Sequence, residues 1–155
     1  MSDKQKAIVY NAVDTVIKFL NNNPSYKPTR ATTMGSTSTG KSFIINTIIS
    51  MVRKLTSSND TVQIAAPTGA AAFNVQGSTI HNLLGVRVTN PEKSLTENTK
   101  LRLLEQLERL LVLVIDERSM ISSKVLAAAE QNTRKCFYRG QNRSKIWGGL
   151  PIVHC

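Results

Sequence analysis

Cysteine is scarce in this sequence: Cys136 and Cys155 are the only two in 155 residues. They have neither metal-ligand spacing nor partners for a disulfide framework, so they read as free thiols of a reducing compartment. Long apolar runs are missing too. The longest, residues 110–115, is six residues where a bilayer requires roughly 20, so no membrane span is expected. The amino terminus has no basic stretch leading into an apolar segment and a small-residue cleavage site, and is not read as a secretory signal. Acid is the other shortage. Ten Asp and Glu against twenty Lys and Arg leave a formal charge of +10 and a pI near 10.0. That balance favours a polyanionic partner such as nucleic acid or an anionic membrane surface; a basic face that only keeps the domain soluble gives the same number. No internal repeat or low-complexity segment interrupts the chain. With 41% hydrophobic and 19% charged residues, the composition is that of a globular domain rather than a disordered or fibrous chain, and the length suits one compact unit.

The apolar residues Ile8, Val9, Ala12, Val13, Val16, Ile17 and Leu20 recur at helical spacing and predict an amphipathic helix over residues 6–20. The asparagines and prolines of 21–28 end it. Residues 29–34 have the β-branched content of a short strand and run straight into glycine. A second apolar periodic stretch, 43–55, closes on Arg53 and Lys54, cations suited to a helix carboxyl end. A strand over 61–66, a small-residue helix over 70–75 and a further short helix after Ser78 continue the alternation. Residues 87–98 read as loop and 100–109 as helix, followed by a strand over 111–115 that is apolar throughout, the pattern of a parallel strand covered on both faces. Strand and helix alternating in this way predict an α/β domain with a parallel sheet and right-handed crossovers.

The segment Gly35, Ser36, Thr37, Ser38, Thr39, Gly40, Lys41, Ser42 fits G-x-x-x-x-G-K-[ST] and lies between a predicted strand and a predicted helix, where a phosphate-cradling loop must lie. In such a loop backbone N–H groups wrap phosphate, the lysine reaches the terminal phosphates and the hydroxyl binds Mg²⁺. The apolar strand 111–115 ends in Asp116, suited to holding Mg²⁺ through water, and Glu117, suited to polarising an attacking water. Two acids after a strand also serve as a helix amino-terminal cap. Taken with the upstream loop, in this order and each at a strand's carboxyl end, the pair predicts a site for ATP and Mg²⁺, because ligands of open α/β sheets gather at those ends.

Between these motifs stands AAPTGAAAFNVQGSTIHNLLGV, residues 65–86. Together the three resemble the petite-integration-frequency family of superfamily-one DNA helicases over nearly the whole chain. The resemblance implies a RecA-like P-loop domain, ATP and Mg²⁺ as cofactors, and single-stranded or forked DNA as partner. It also implies strand contacts at Pro67, Thr68 and Gly69, with Thr79 and His81 on a companion element. A proline-glycine turn followed by alanines does let a backbone approach a sugar-phosphate chain, with Thr68 offering donors. A close-packed turn and small-residue helix is the plainer account, and His81 equally suits packing or capping. The amino-terminal MSDKQKAIV resembles the family's adenine-reading motif and makes Gln5 a candidate for a bidentate base contact; a surface glutamine ahead of a helix is the alternative. Arg134, Lys135, Arg139, Arg143 and Lys145, with Phe137, Tyr138 and Trp147, form either a phosphate-contacting and stacking surface or a basic loop.

The sequence departs from the family pattern at Thr37 and Ser38, where alanine and glycine are usual, so a positive φ at Ser38 carries strain. It departs again at Arg118, which replaces an apolar residue and either perturbs the acids or points to solvent. The family's γ-phosphate-sensing Gly-Asp and glutamine motif, expected after residue 155, and a second RecA-like domain are not in this sequence. The expectation is therefore that residues 1–155 are the first motor domain of an ATP-dependent 5′ to 3′ DNA helicase of repair, recombination or telomere maintenance, incomplete at its carboxyl end and unable to unwind alone. Such an enzyme works inside the cell: nuclear or mitochondrial in a eukaryote, otherwise cytoplasmic. A non-catalytic nucleotide- or DNA-binding module is the second reading. A small-molecule phosphotransferase shares the glycine loop and leaves residues 65–86 unexplained. Oligomeric state is not legible.

Overall fold

The computed structural model describes residues 1–32, 40–137 and 145–155. Helix α1, Asp3–Leu20, starts on a capping box: the Ser2 hydroxyl accepts from the Gln5 N–H at 3.3 Å and Gln5 Oε1 accepts from the Ser2 N–H at 2.7 Å. This satisfies two otherwise orphaned donors and begins the helix a turn before the apolar periodicity does. Strand β1, Arg30–Thr32, leads toward the glycine loop. Helix α2, Lys41–Thr56, begins at Gly40, whose φ of 74° is glycine's natural region, and buries Ile44, Ile45, Ile48, Ile49 and Val52. Ser57, also left-handed at φ 53°, ends it.

Strand β2, Val62–Ala66, feeds α3, Gly69–Asn74, which is capped by the Thr68 hydroxyl accepting from the Ala71 N–H at 3.2 Å. The end of α3 is a Schellman turn. The Gly77 N–H donates to Ala72 O and the Gln76 N–H to Phe73 O, with Gln76 left-handed at φ 52°. Strand β3, Ser78–Thr79, helix α4, Ile80–Leu83, and helix α5, Glu97–Glu108, follow. Then come β4, Val112–Ile115, a 3-10 turn at Arg118–Met120, α6, Ser123–Cys136, a 3-10 turn at Ile146–Gly149, and β5, Ile152–His154.

Among the described residues the five strands are all parallel, in the order β1-β5-β4-β2-β3. Strand alternation divides the core into two layers. Val62, Ile64, Val112, Val114 and Val153 pack with α1 and α2 on one face. Ala65, Leu113, Ile115 and Ile152 pack with α4, α5 and α6 on the other. Val112 to Ile115 are all fully buried, as an unbroken apolar run requires.

The structure corrects the sequence reading at three places. Helix α5 begins at Glu97, inside the stretch read as loop, because the Thr96 hydroxyl accepts from the Thr99 N–H and caps a first turn. Helix α6 had drawn no expectation, and its Ser122 cap on the Val125 N–H is the same kind of signal. Phe137 and Trp147 are 4% and 5% exposed in the core, so their rings hold the fold and offer no stacking face. Arg134 is committed to Glu130, while Tyr138, Arg139 and Arg143 lie outside the described residues. Both cysteines are buried, and burial pushes the Cys136 thiol up from its ordinary value. No described helix is long and apolar enough to cross a membrane.

Candidate functional site

A parallel sheet puts every strand's carboxyl end on one edge. Register makes this concrete: Thr32 stands opposite His154, Ile115 opposite His154 and also opposite Ala65, and Ala66 opposite Thr79. Beyond these ends stand Gly40 and Lys41 at the start of α2, Asp116 and Glu117 after β4, Pro67 to Gly69 after β2, and Thr79 at the start of α4. Four separate stretches of sequence thus meet along one edge. Lys41, Asp116 and Glu117 lie toward β1, β5 and β4, and the Pro67 turn and Thr79 toward β2 and β3.

The ladder continues one residue past the strands. The Asp116 N–H donates to Ala65 O at 2.8 Å, the Cys155 N–H to Ile115 O at 2.8 Å, and the Arg118 N–H to Cys155 O at 3.0 Å. These bonds clamp the backbone that carries the acids. Asp116 is buried, and that burial raises its carboxyl above the ordinary 3.8. The hydrogen bond from the Glu117 backbone works the other way. Of the charges, Glu117 adds to the rise and Lys41 opposes it. Lys41 Nζ lies 3.9 Å from Glu117 Oε1, a loose ion pair between partly buried groups. Glu117 itself sits at φ 48°, a left-handed conformation that costs a non-glycine residue on the order of 1 kcal/mol. Lysine, buried carboxylate and strained glutamate therefore face one another at the start of α2.

Ser42 follows Lys41 in the first turn of α2 and is exposed. Gly40 abuts Gln5: a Cβ at Gly40 would lie 3.2 Å from Gln5 Nε2. Gln5 is thus beside Gly40, but its carbonyl closes the α1 capping box, and the expected bidentate contact to a base requires that bond to be exchanged. Gly35, Ser36, Thr37, Ser38 and Thr39 lie outside the described residues. Thr68 and Thr79 both spend their hydroxyls on helix caps, Thr79 accepting from the Asn82 N–H at 3.2 Å. Their backbones, with Pro67, Gly69 and the half-buried His81, form the β2–β3 end of the edge. Among the described residues no three His, Cys, Asp or Glu side chains converge on a metal site. A cation at Asp116 therefore needs ligands from a hydroxyl, water and phosphate, the arrangement Mg²⁺ favours.

The PIF1-like helicase family profile matches residues 1–155. The chain belongs to the PIF1-like helicase family. It is 34% identical over 125 residues to an ATP-dependent DNA helicase PIF1 of Emericella nidulans, a match that covers 77% of this chain and 16% of that protein. It is 33% identical over 125 residues to the ATP-dependent DNA helicase RRM3 of Saccharomyces cerevisiae, with the same coverage. A crystal structure of Bacteroides sp. Pif1 in complex with ADP-AlF4 superposes with a TM-score of 0.72 at 23% identity, over 99% of this chain and 31% of that one. The Pif1 helicase from Candida albicans gives 0.71 at 23%, over 100% and 32%. These likenesses establish the RecA-like fold. The chain spans about a sixth of the curated relatives' length and about a third of the solved chains.

Within this PIF1-like domain the sequence reading passed over His154. It ends β5 between Thr32 and Ile115. Its imidazole is lowered to about 4, first by burial and then by the Arg118 charge. Arg118, which departs from the family pattern, is exposed, and its charge bears on His154. The available signal was the parallel sheet itself, since a strand leading to residue 154 must end on the same edge as Asp116.

Proposed function

We propose that this chain is the first motor domain of an ATP-dependent DNA helicase, coupling ATP hydrolysis to movement along single-stranded DNA. One observation carries it: Lys41 at the start of α2 faces Asp116 and Glu117 on the edge that also holds the Pro67 turn and Thr79. The names of the relatives, ATP-dependent DNA helicases, point the same way.

Magnesium-bound ATP supplies a terminal phosphoanhydride and the cation that neutralises it. Lys41 offsets phosphate charge, and Ser42 and Asp116 are the residues that would hold Mg²⁺. A buried carboxylate with a raised pKa fits that assignment, because a divalent cation favours its charged form. Glu117 orients and deprotonates water. The Gly35 to Thr39 backbone would enclose phosphates and Gln5 would meet the base. Pro67, Thr68, Gly69, Thr79 and His81 would touch the strand, so that movement at Asp116, one strand away from Ala66, is transmitted to them.

The finer parts of the proposal rest on family resemblance. They are 5′ to 3′ direction, forked DNA as substrate, a role in repair, recombination or telomere maintenance in the nucleus, mitochondrion or bacterial cytoplasm, and no unwinding by residues 1–155 alone. The test is thermal denaturation with and without Mg-ATP. Wild type should melt higher with nucleotide, by RT ln(1 + [L]/Kd) in free energy, and Lys41→Ala should lose that response. An unchanged response in Lys41→Ala sinks the assignment.

A further inference from the structure

We propose that Phe73 is a stacking platform for a base of single-stranded nucleic acid. The inference rests on the reading of this sheet edge as a nucleic-acid surface, and adds to it a residue that contributes nothing to the nucleotide site.

Phe73 is 84% exposed, more than any other large hydrophobic residue described. A phenylalanine left in water forgoes the stabilisation that burial gives, so the fold gains little from an aromatic here. Its setting is ordered all the same. Ala72 beneath it is buried, the Val75 and Gln76 N–H groups both donate to the Phe73 carbonyl, and the following Gly77 is pressed against Ile64. The ring therefore projects from a fixed backbone, which limits the entropy lost when a base stacks on it.

The surroundings suit a flat ligand. Gly69 and Ala70, four and three residues earlier, share the exposed helix face with Phe73 and Asn74, and an added Cβ at Gly69 would meet nothing within 4 Å. Small neighbours leave the ring faces open. Asn74 adds an amide able to donate to and accept from a base edge. Charge completes the case for a polyanion: residues 61–91 contain no Asp or Glu, in a chain of net charge +10. The platform also lies a single short helix from Thr68, which follows Pro67 at the carboxyl end of β2. A strand whose backbone meets the turn has a base within reach of the ring, and base-on-aromatic stacking is tolerant of sequence.

The experiment compares two labelled oligonucleotides of equal length binding to the full-length protein: oligothymidylate, and a strand with abasic sites throughout. Phe73→Ala should weaken binding of the base-bearing strand by about tenfold and leave the abasic strand unchanged. Phe73→Trp should retain affinity, and its indole emission should be quenched by oligothymidylate but not by the abasic strand. Because the side chain is exposed, neither substitution should shift the melting temperature. Equal affinity of wild type and Phe73→Ala for oligothymidylate would overturn the inference while leaving the nucleic-acid reading intact. So would an equal loss on both strands, or an unquenched tryptophan in a protein that binds. A wild-type protein that binds neither strand would overturn both.

Discussion

Gly77→Ala should destabilise this domain sharply for a purely steric reason. The residue lies between α3 and β3, where the chain passes against β2. A Cβ built on it would lie 2.5 Å from Ile64 O, 2.9 Å from Ile64 Cβ and 3.1 Å from Ile64 C. Ordinary carbon–oxygen approaches begin near about 3.3 Å, so relief requires roughly 0.8 Å of movement, and the obstructing atom is backbone. Two pairings, Ala65 with Ser78 and Ala66 with Thr79, hold β3 to β2. The strand edge should therefore give way before the core does. Overpacking costs about 1–3 kcal/mol, and a rigid backbone neighbour puts this case at the upper end. The stiffer unfolded chain of an alanine variant returns about 0.4–1 kcal/mol. The net expectation is a loss of about 2 kcal/mol, or roughly 4–8 °C in Tm for a domain of this size. Circular-dichroism melts measure it, with Gly69→Ala as control, since space beside Gly69 is open and its change should be neutral or stabilising. Gly77 needs no left-handed backbone, so conformational strain cannot mimic the effect. A Gly77→Ala variant melting within 1 °C of wild type, on a scale where about 1 kcal/mol moves Tm by 2–4 °C, would refute the argument.

Three further outcomes are expected. Asp116→Asn should raise Tm at neutral pH: burial lifts the Asp116 carboxyl, so the ionised form costs stability above the ordinary 3.8, and the advantage should shrink as pH falls toward that value. A melt series from pH 7 to 4 shows this, and a pH-independent difference would point to packing instead. Gln76→Gly should stabilise by about 0.5–1 kcal/mol in denaturant titration, because the left-handed C′ position of α3 favours glycine; a loss would mean that the Gln76 side chain matters more than its backbone. Glu130→Ala removes the acceptor shared by Arg134 Nε and Nη2 and the Trp147 N–H, at 3.0, 2.6 and 2.8 Å. It should cost about 1–3 kcal/mol by leaving a buried N–H unpaired, and Glu130→Gln should cost less. Equal melts for all three proteins would remove that bond from the account of how α6 meets the turn before β5.

The primary sequence determined the alternation of strands and helices and the acids after the apolar run 111–115, because periodicity and a run too apolar for any surface are local properties. It left the start of α5 and all of α6 unread, since threonine and serine caps are weak signals until a helix exists to use them. Only the tertiary structure decided which residues meet. Parallel pairing placed the ends of β1, β5, β4, β2 and β3 along one edge, and so joined Lys41 to Glu117 and set His154 opposite Ile115. It assigned Phe137 and Trp147 to the core and Phe73 to the surface. Aromatic residues look alike in a sequence; whether one packs or waits for a ligand is fixed by what stands opposite it, and that neighbour comes from distant parts of the chain.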